Sequence, residues 1–177
     1  AALVEDGTIV AAVEEERINR IKHTQKGAVN AIRACLQTRG IGLTDIDHLV
    51  YYGSDEGLAL WTQHLFYGTC DAQPVTSHRQ LIHDFLRNGL GEDLDDRKLG
   101  FVNHHLAHAI STYAQSGYSD SLVVTIDGAG DGLCGSVILW QGTHYQLLST
   151  YDASKSLGTF YDRVIAILGY GFTEEYK

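Results

Sequence analysis

The alternation of apolar and polar positions at the start of the chain predicts a β-hairpin. Two short apolar runs, Ala2–Val4 and Ile9–Val13, flank the segment Glu5-Asp6-Gly7-Thr8. Asp-Gly is a strong signal for a two-residue hairpin turn, because both central residues of that turn need positive φ angles. The charged segment Glu14–His23 follows, and it is interpreted either as a solvated loop or as a surface that faces substrate.

Helical and extended patterns follow one another through the middle of the chain. Ala28–Arg39 has apolar residues spaced along one helix face, and Gly40 follows it at the place where glycine commonly ends a helix. Ile46–Tyr52 is partly continuous in its apolar character, which favours a strand buried within a sheet. Ser77–Arg87 has the apolar spacing of a second helix.

Two segments between these elements carry weaker signals. Gly53–Thr76 is a long polar and aromatic region in which only a helix over Leu58–Phe66 is predicted. We expect this region to vary between related proteins, as a hypothesis on specificity. Gly89–Arg97 is interpreted as an acidic surface loop.

The second half of the chain repeats the order of strands followed by a helix. Lys98–Val102 is a short strand that leads into a helix running to about Gln115. Beyond Ser116-Gly117 the pattern predicts three strands with turns at 128–132 and 141–143, then a helix over 155–168 with a long apolar stripe. The three strands are Leu122–Ile126, Gly135–Trp140 and Tyr145–Tyr151. The chain therefore resembles two related units, Ala1–Gly117 and Tyr118–Lys177.

Composition indicates a globular protein and argues against nucleic-acid binding. The chain has 177 residues, of which 44% are apolar and 20% charged, and its net charge is −9. A surface that binds nucleic acid by charge needs concentrated lysine and arginine, and these total only 13. No apolar run is long enough to span a membrane. Cys35, Cys70 and Cys134 form no CxxC pattern, so we expect reduced, mostly buried thiols and a cytoplasmic location.

The ends of the chain predict that it is a fragment. Methionine does not occur in the sequence, and the first residues already lie in a strand-like apolar run.

Three histidines between Asn103 and Tyr113 are the first candidate for chemistry. His104 and His108 are four residues apart, so a helix places both imidazoles on one face, and Asn103 is a suitable N-cap residue. Two neutral imidazoles on one face are half of a divalent-metal site. The alternative is a capped, solvated or packed pair without a metal. No glutamate completes an HExxH pattern, which argues against a metalloprotease.

Asp127 is the candidate for the third ligand. It ends the apolar run that begins at Ser121, and it opens the sequence Gly128-Ala129-Gly130-Asp131-Gly132. A carboxylate at the end of a strand beside a glycine-rich turn suits a metal ligand or a partner of a phosphate. The alternative is a hairpin turn and nothing more.

The order of elements resembles the actin-like ATPase superfamily, which has a ribonuclease H-like fold. That resemblance implies an α/β protein with duplicated lobes of mixed sheets and flanking helices, here 1–117, without its first strand, and the start of a second lobe, 118–177. In that fold a glycine-bearing strand turn of each lobe approaches phosphate or metal. Glycine permits this because no Cβ keeps the backbone N–H groups from an anion.

Five motifs follow one another along the whole chain. They are Ala1-Ala2-Leu3-Val4-x-Asp6-Gly7, Glu15-Glu16-Arg17 with Lys22-His23, Asn103-His104-His105-x-x-His108, Asp127–Gly132, and Ser156-Leu157-Gly158-x-x-Tyr161 with Glu175-Tyr176-Lys177. Together they resemble the O-carbamoyltransferase family, which contains nodulation-factor and antibiotic carbamoyltransferases. The N-terminal part of these proteins resembles the tRNA threonylcarbamoyl-transferase fold. Because members have several hundred residues, the resemblance implies roughly the first third of such an enzyme, with the fragment alone expected to be inactive.

The resemblance implies an ATP-dependent reaction. Carbamoyl phosphate and ATP give a carbamoyl-adenylate, from which the carbamoyl group passes to a hydroxyl of a small-molecule or sugar acceptor. His104, His108 and Asp127 would hold a divalent metal, iron by resemblance, with zinc or manganese also compatible. Lys22 would be catalytic, although an exposed loop lysine is the alternative. The nucleotide would contact Gly128, Ala129, Gly130, Asp131, Gly132, Ser156 and Gly158.

Other readings stay open at this point. One is a threonylcarbamoyl-transferase that acts on tRNA, and the other is a non-catalytic actin-like nucleotide-binding fragment. Asp131 could support the metal or the nucleotide, or only close its turn. A homodimer is a further expectation, and no membrane partner is expected.

Overall fold

The computed structural model of the chain describes residues 1–22, 24, 27–57 and 77–170. It divides into two units, each described by itself. Unit 1 is Ala1–Val50 with Val75–Gly100, and unit 2 is Tyr51–Pro74 with Phe101–Lys177. Small sheets with flanking helices confirm the mixed α/β class. The actin-like fold and its lobes 1–117 and 118–177 stay predictions.

Unit 1 opens with the β-hairpin that the sequence predicts. Strand β1 (Ala2–Glu5) pairs antiparallel with β2 (Thr8–Ala12). The turn residues Asp6 and Gly7 have φ angles of 49° and 78°. Two successive positive φ angles are what a type I′ turn requires, so the Asp-Gly signal was correct.

A short helix replaces the predicted loop at Glu14–His23. Helix α1 (Glu15–Asn19) buries the Glu15 side chain, which accepts hydrogen bonds from the backbone N–H of Ala31 (2.8 Å) and from Asn30 Nδ2 (2.6 Å). The prediction of a solvated loop was therefore wrong for α1. The physical reason for this burial is that the first turn of the next helix has unpaired N–H groups. The carboxylate of Glu15 accepts a hydrogen bond from one of them, that of Ala31, which lies 16 residues later.

The two amphipathic helices of unit 1 were predicted correctly, with small differences in length. Helix α2 (Val29–Gln37) buries Ala31, Cys35 and Leu36 and contacts the β-hairpin. Helix α3 (His78–Leu90) starts after Ser77, whose side chain accepts a hydrogen bond from the Gln80 N–H. It extends into the predicted acidic loop and ends at Gly91, which has a φ angle of 76°.

The strand predicted at Ile46–Tyr52 is shorter and more exposed than expected. Strands β3 (Leu49–Tyr52) and β4 (Leu99–Val102) form a two-stranded sheet, and the boundary between the units falls within both strands. Val50 is 59% exposed and Tyr52 64% exposed. The prediction of a fully buried strand was wrong, because alternate side chains of β3 face away from the packed side.

Unit 2 packs one helix against a three-stranded antiparallel sheet. The sheet has the order β5 (Asp120–Gly130), β6 (Leu133–Gln141) and β7 (His144–Asp152). Helix α4 (His104–Ser116) contacts β5 and β6. The hydrophobic core lies between them and consists of Ala109, Val123, Ile138 and Trp140, with Leu106 and Tyr113 packed against it.

The strands of unit 2 are longer than the apolar runs that predicted them. Strand β5 continues through Gly128 to Gly130, so only Asp131 and Gly132, with φ angles of 50° and 78°, form the turn. The predicted turn over 128–132 was therefore too long. Apolar periodicity could not show this, because glycine adds no side chain to either face of a strand and the pairing of β5 with β6 is irregular between Ile126 and Gly130.

Helix α5 (Leu157–Ile167) contacts β5 and ends near Gly169, as predicted. Several side chains of its apolar stripe are exposed, including Leu157 at 70% and Ile167 at 83%.

Cys35 and Cys134 are free and buried, which agrees with the prediction, whereas Cys70 lies outside the described residues. Within the described part of the chain, no helix is long and apolar enough to cross a membrane.

Candidate metal centre

The first turn of α4 presents two histidines on the same face. Asn103 caps the helix, because its side-chain oxygen accepts a hydrogen bond from the Leu106 N–H at 3.1 Å. His104 is the first helical residue and His108 follows one turn later. Their ring centroids are 4.6 Å apart and their Nε2 atoms 3.0 Å apart. The helical spacing and the N-cap were both predicted correctly.

Strand β5 brings Asp127 to the same point. Asp127 Oδ2 lies 2.7 Å from His104 Nε2 and 3.5 Å from His108 Nε2. The three residues each offer one ligand atom, and these atoms lie within 4.8 Å of one another. The side chain of His104 is 19% exposed, that of Asp127 34% and that of His108 52%. The structure therefore brings together the three residues that the sequence singled out.

The separations fit a metal ion of the first transition row. Metal–ligand bonds of about 2.1 Å place neighbouring ligand atoms about 3.0 Å apart at octahedral angles and about 3.4 Å apart at tetrahedral angles. The measured distances of 2.7, 3.0 and 3.5 Å span these values. Two imidazoles and one carboxylate suit iron, zinc or manganese, and three protein ligands leave coordination positions for other groups.

The carboxylate of Asp127 is held in its charged form. Burial acts to raise the pKa of Asp127, but the hydrogen bond from His104 and the N–H of Gly128 outweigh it, so that its pKa lies below the ordinary value. The Gly128 N–H donates to Asp127 Oδ1 at 2.6 Å, which leaves Oδ2 directed at the histidines. An ionised carboxylate with one oxygen already positioned is suited to bind a cation.

Gly130 provides the space that the His104 ring occupies. A Cβ atom built on Gly130 would overlap His104 Cγ and Cδ2 and would lie 2.7 Å from Nε2. Gly130 was predicted to contact the nucleotide, and this packing role was not predicted. Only the meeting of β5 with α4 creates it, so no local pattern could have shown it.

Asp131 binds the start of α4 rather than facing open space. Its carboxylate accepts hydrogen bonds from the His104 N–H (2.7 Å), Asn103 Nδ2 (3.1 Å) and the Ser54 N–H (2.9 and 3.0 Å). The sequence analysis left open a role for Asp131 in metal or nucleotide binding, or in the turn. The observed contacts add a role that it did not consider, that of a cap on α4.

The third histidine lies on a different face of the helix. His105 is 1% exposed, and its Nδ1 lies 2.8 Å from Thr125 Oγ1. Thr125 in turn lies 2.7 Å from Ser136 Oγ. This buried contact connects α4 to β5 two residues before Asp127, so it helps to hold the two elements that carry the candidate ligands.

The predicted nucleotide residues at the start of α5 approach the end of β5. Ser156 is buried and caps α5, since its Oγ accepts a hydrogen bond from the Thr159 N–H at 3.0 Å and donates to the Asp127 carbonyl oxygen at 3.4 Å. A Cβ atom on Gly158 would lie 2.8 Å from Gly128 Cα. The two backbones therefore meet closely, and their contact with a nucleotide stays a prediction.

The remaining predicted residues are placed as follows. Ala129 is exposed beside Gly128, and Gly132 completes the turn after Asp131. Lys22 belongs to unit 1 and is exposed, so its catalytic role also stays a prediction. The predicted helix over Leu58–Phe66, most of the predicted specificity region, and the motif residues His23 and 175–177 lie outside the described residues.

Fold and site together define a mixed α/β protein in which a helix start and a strand end bring two histidines and a carboxylate to one point. The family model described as carbamoyltransferase N-terminus matches residues 1–177. The chain therefore belongs to the carbamoyltransferase N-terminus family, which confirms the resemblance found in its motifs.

Individual relatives agree with this assignment. The chain is 39% identical over 177 residues to nodulation protein NolNO of Sinorhizobium fredii, covering 100% of this chain and 26% of that protein. It is 31% identical over 195 residues to the uncharacterized protein sll1178 of Synechocystis sp., covering 100% of this chain and 31% of the relative. Nodulation protein NolO of Bradyrhizobium diazoefficiens is 45% identical over 76 residues, which are 43% of this chain and 14% of NolO. The chain thus spans between a quarter and a third of the length of the first two relatives.

Proposed function

We propose that this chain is the metal-binding part of an ATP-dependent O-carbamoyltransferase. The observation that carries the proposal is the convergence of His104, His108 and Asp127, whose ligand atoms lie 2.7 to 3.5 Å apart, in a chain of the carbamoyltransferase N-terminus family. The donor would be a carbamoyl-adenylate formed from carbamoyl phosphate, ATP and water with release of phosphate and pyrophosphate, and the acceptor a hydroxyl of a sugar or another small molecule.

In the proposed reaction the acceptor oxygen forms a bond to the carbamoyl carbon. The bond between that carbon and the phosphate oxygen of the adenylate breaks, AMP leaves with the electron pair, and the acceptor proton passes to a base. A divalent metal in such a site supplies Lewis-acid chemistry and a template for the reacting groups. His104, His108 and Asp127 would hold this metal, with iron expected from the resemblance and zinc or manganese also compatible with the ligands.

Other residues of the chain would position the donor. Space for a ligand exists beside Gly128, because a Cβ atom there would meet nothing within 4 Å. Gly128, Ala129, Gly130, Asp131 and Gly132, together with Ser156 and Gly158, would line the nucleotide site, where backbone approach needs residues without bulky side chains. Lys22 would offset negative charge that develops on the transferred group.

We also propose the actin-like, ribonuclease H-like fold with lobes 1–117 and 118–177 for the larger enzyme. In support, each segment contains antiparallel strands followed by a helix, namely β1–β2 with α2 and β5–β6–β7 with α5. The free, buried thiols of Cys35 and Cys134 support a reducing compartment such as the cytoplasm.

The test is metal content and transfer in His108→Ala, with His144→Ala as the matched control. His144 is an exposed histidine at the start of β7, away from the three candidate ligands. We expect elemental analysis of the full-length wild-type protein and of His144→Ala to give about one metal per chain. His108→Ala should lose that metal.

Transfer is measured with carbamoyl phosphate, ATP and a panel of hydroxyl-bearing acceptors that includes a chitooligosaccharide and an aminoglycoside, because the sequence leaves the acceptor open. We expect His108→Ala to lose carbamoyl transfer together with its metal. If the variant keeps its metal, or if transfer survives the loss of metal, the histidine pair has a structural role and the proposed mechanism is wrong.

A further inference from the structure

The carboxylate of Asp131 has an unusual set of partners for a residue in a hairpin turn. It accepts hydrogen bonds from three nitrogen donors outside its own turn, on Ser54, Asn103 and His104. We infer that Asp131 is a positioning residue for the metal centre, which fixes the first turn of α4 so that His104 meets Asp127. The inference rests on the proposed metal site, and it assigns Asp131 a role different from direct contact with metal or nucleotide.

The lone pairs of the Asp131 carboxylate are largely occupied. An ionised carboxylate offers about four acceptor positions on its two oxygens. Oδ2 alone accepts from the His104 N–H at 2.7 Å, the Ser54 N–H at 2.9 Å and Asn103 Nδ2 at 3.1 Å. Oδ1 accepts from the Ser54 N–H at 3.0 Å, and a Cβ atom on Gly57 would overlap it. These hydrogen bonds therefore occupy most of the acceptor positions of the carboxylate.

One of these donors, the His104 N–H, is a group that an α-helix leaves unpaired at its N-terminus. The first four N–H groups of a helix have no partner within the helix. Asn103 satisfies that of Leu106 through its side-chain oxygen, and Asp131 satisfies that of His104. Asp131 also binds the amide nitrogen of Asn103, which keeps the oxygen of that side chain directed at the helix. Asp131 therefore accepts hydrogen bonds both from the backbone of the first helical residue and from the side chain that caps the helix.

The position of this cap links the two halves of the metal centre. Asp127 lies near the end of β5 and Asp131 lies four residues later in the turn that follows it, while His104 and His108 lie in the first turns of α4. Asp131 therefore connects the backbone that carries the carboxylate ligand to the backbone that carries the imidazole ligands. Residues that orient metal ligands in this way commonly change metal affinity by about 10–100-fold when they are replaced.

The test compares Asp131→Asn with Asp152→Asn in the full-length protein. Asp152 is a matched control, because it also caps the start of a short helical turn in unit 2, where it accepts from the Ser154 N–H at 3.0 Å. Zn²⁺ is titrated against a competing chelator, and the visible spectrum of the Co²⁺-loaded protein reports the coordination geometry. Unfolding of the metal-free proteins by urea reports their stability.

We expect Asp131→Asn to raise the Zn²⁺ dissociation constant by about 10–100-fold and to alter the Co²⁺ spectrum. Asp152→Asn should leave both unchanged. Should Asp131→Asn fail to fold, Asn103→Ser keeps an N-cap oxygen for the Leu106 N–H but lacks the Nδ2 donor to Asp131, and we then expect a smaller rise in the dissociation constant.

Three results would overturn the inference. One is an unchanged Zn²⁺ dissociation constant in Asp131→Asn while His108→Ala loses the metal. In that case the proposed metal site stands, but Asp131 does not support it. Another is weaker ATP binding in Asp131→Asn with unchanged metal affinity, which makes Asp131 a nucleotide contact. The last is equal loss of metal in Asp131→Asn and Asp152→Asn, which shows general destabilisation. Failure of the wild-type protein to bind Zn²⁺ or Co²⁺ would refute the proposed metal site itself, and with it this inference.

Discussion

Replacement of Gly130 by alanine is expected to disrupt the metal centre without touching a ligand. A Cβ atom at position 130 would lie 2.7 Å from His104 Nε2 and closer still to Cγ and Cδ2 of the ring. Cγ is the first ring atom, so rotation about χ2 cannot move it away and the clash has to be relieved at χ1 or in the backbone. The backbone of Gly130 itself tolerates alanine, because its φ angle is not positive.

The size of the effect follows from the distance that the ring must move. Ordinary contacts with a Cβ atom begin at 3.4 Å, so Nε2 must shift by at least about 0.7 Å. Bonds to a metal tolerate about 0.2 Å, so a shift of this size breaks or strongly lengthens the bond from His104. We expect metal affinity to fall by at least the roughly 10–100-fold that replacement of supporting residues costs. That range corresponds to about 1.4–2.8 kcal/mol.

The assay is chelator competition with Zn²⁺ in Gly130→Ala, with Gly128→Ala as the matched control. Gly128 lies on the same strand, and a Cβ atom there would meet nothing within 4 Å, so its metal affinity should equal that of the wild type. Circular dichroism checks that both variants fold. Wild-type affinity in a folded Gly130→Ala protein would refute the reasoning, because the His104 ring could then not occupy the described position when it binds metal.

Two further predictions concern stability in unit 1. Glu15→Gln should lower the free energy of unfolding by about 1–3 kcal/mol in urea denaturation, because the amide keeps one oxygen for two donors, the Ala31 N–H and Asn30 Nδ2, so that one of them loses its acceptor. Asp96 has a pKa below its ordinary value because it accepts hydrogen bonds from His83 and Arg79. A lowered pKa stabilises the folded state above the unfolded-state pKa and loses that contribution as pH falls through the folded-state value. Below about pH 4, the free energy of unfolding should therefore fall less steeply with decreasing pH in Asp96→Asn than in the wild type.

Each of these has a control in the same chain. Glu14→Gln removes only an exposed ion pair with Arg17, so it should cost less than about 1 kcal/mol. Equal costs at positions 14 and 15 would show that the buried cap contributes nothing special. Asp162→Asn changes an exposed carboxyl on α5, and an acid profile that matches that of Asp96→Asn would contradict the role given to Asp96.

The candidate ligands could be predicted because their signals are local. Helical spacing alone places His104 and His108 on one face, and Asn103 marks the start of the helix. Asp127 follows an apolar run that predicts a strand, although β5 itself continues to Gly130. The three side chains then need only one packing event, α4 against β5, to come together. That event follows from the apolar face that Leu106 and Ala109 present to the sheet.

The supporting residues could not be predicted because their partners are distant in sequence. Glu15 caps a helix that starts 14 residues later, so its charged segment was indistinguishable from a loop. Asp131 binds Ser54, which lies 77 residues earlier. Gly130 matters for the volume it leaves to His104. Each role depends on a three-dimensional contact between elements that local patterns describe only one at a time.

The charges around α4 give a second reason for the cap on this helix. The N-terminus of a helix carries a partial positive charge, which disfavours a cation beside its first turn. His104 lies in that turn, so a divalent metal would approach the unfavourable end of the helix. The imidazoles bring no compensating charge when neutral, and Asp127 brings one negative charge. Asp131, which accepts hydrogen bonds as an ionised carboxylate does, brings a second one directly onto the helix end. Two carboxylates would thus balance a divalent cation, which is a second reason to expect that Asp131 affects metal affinity although it is not a proposed ligand.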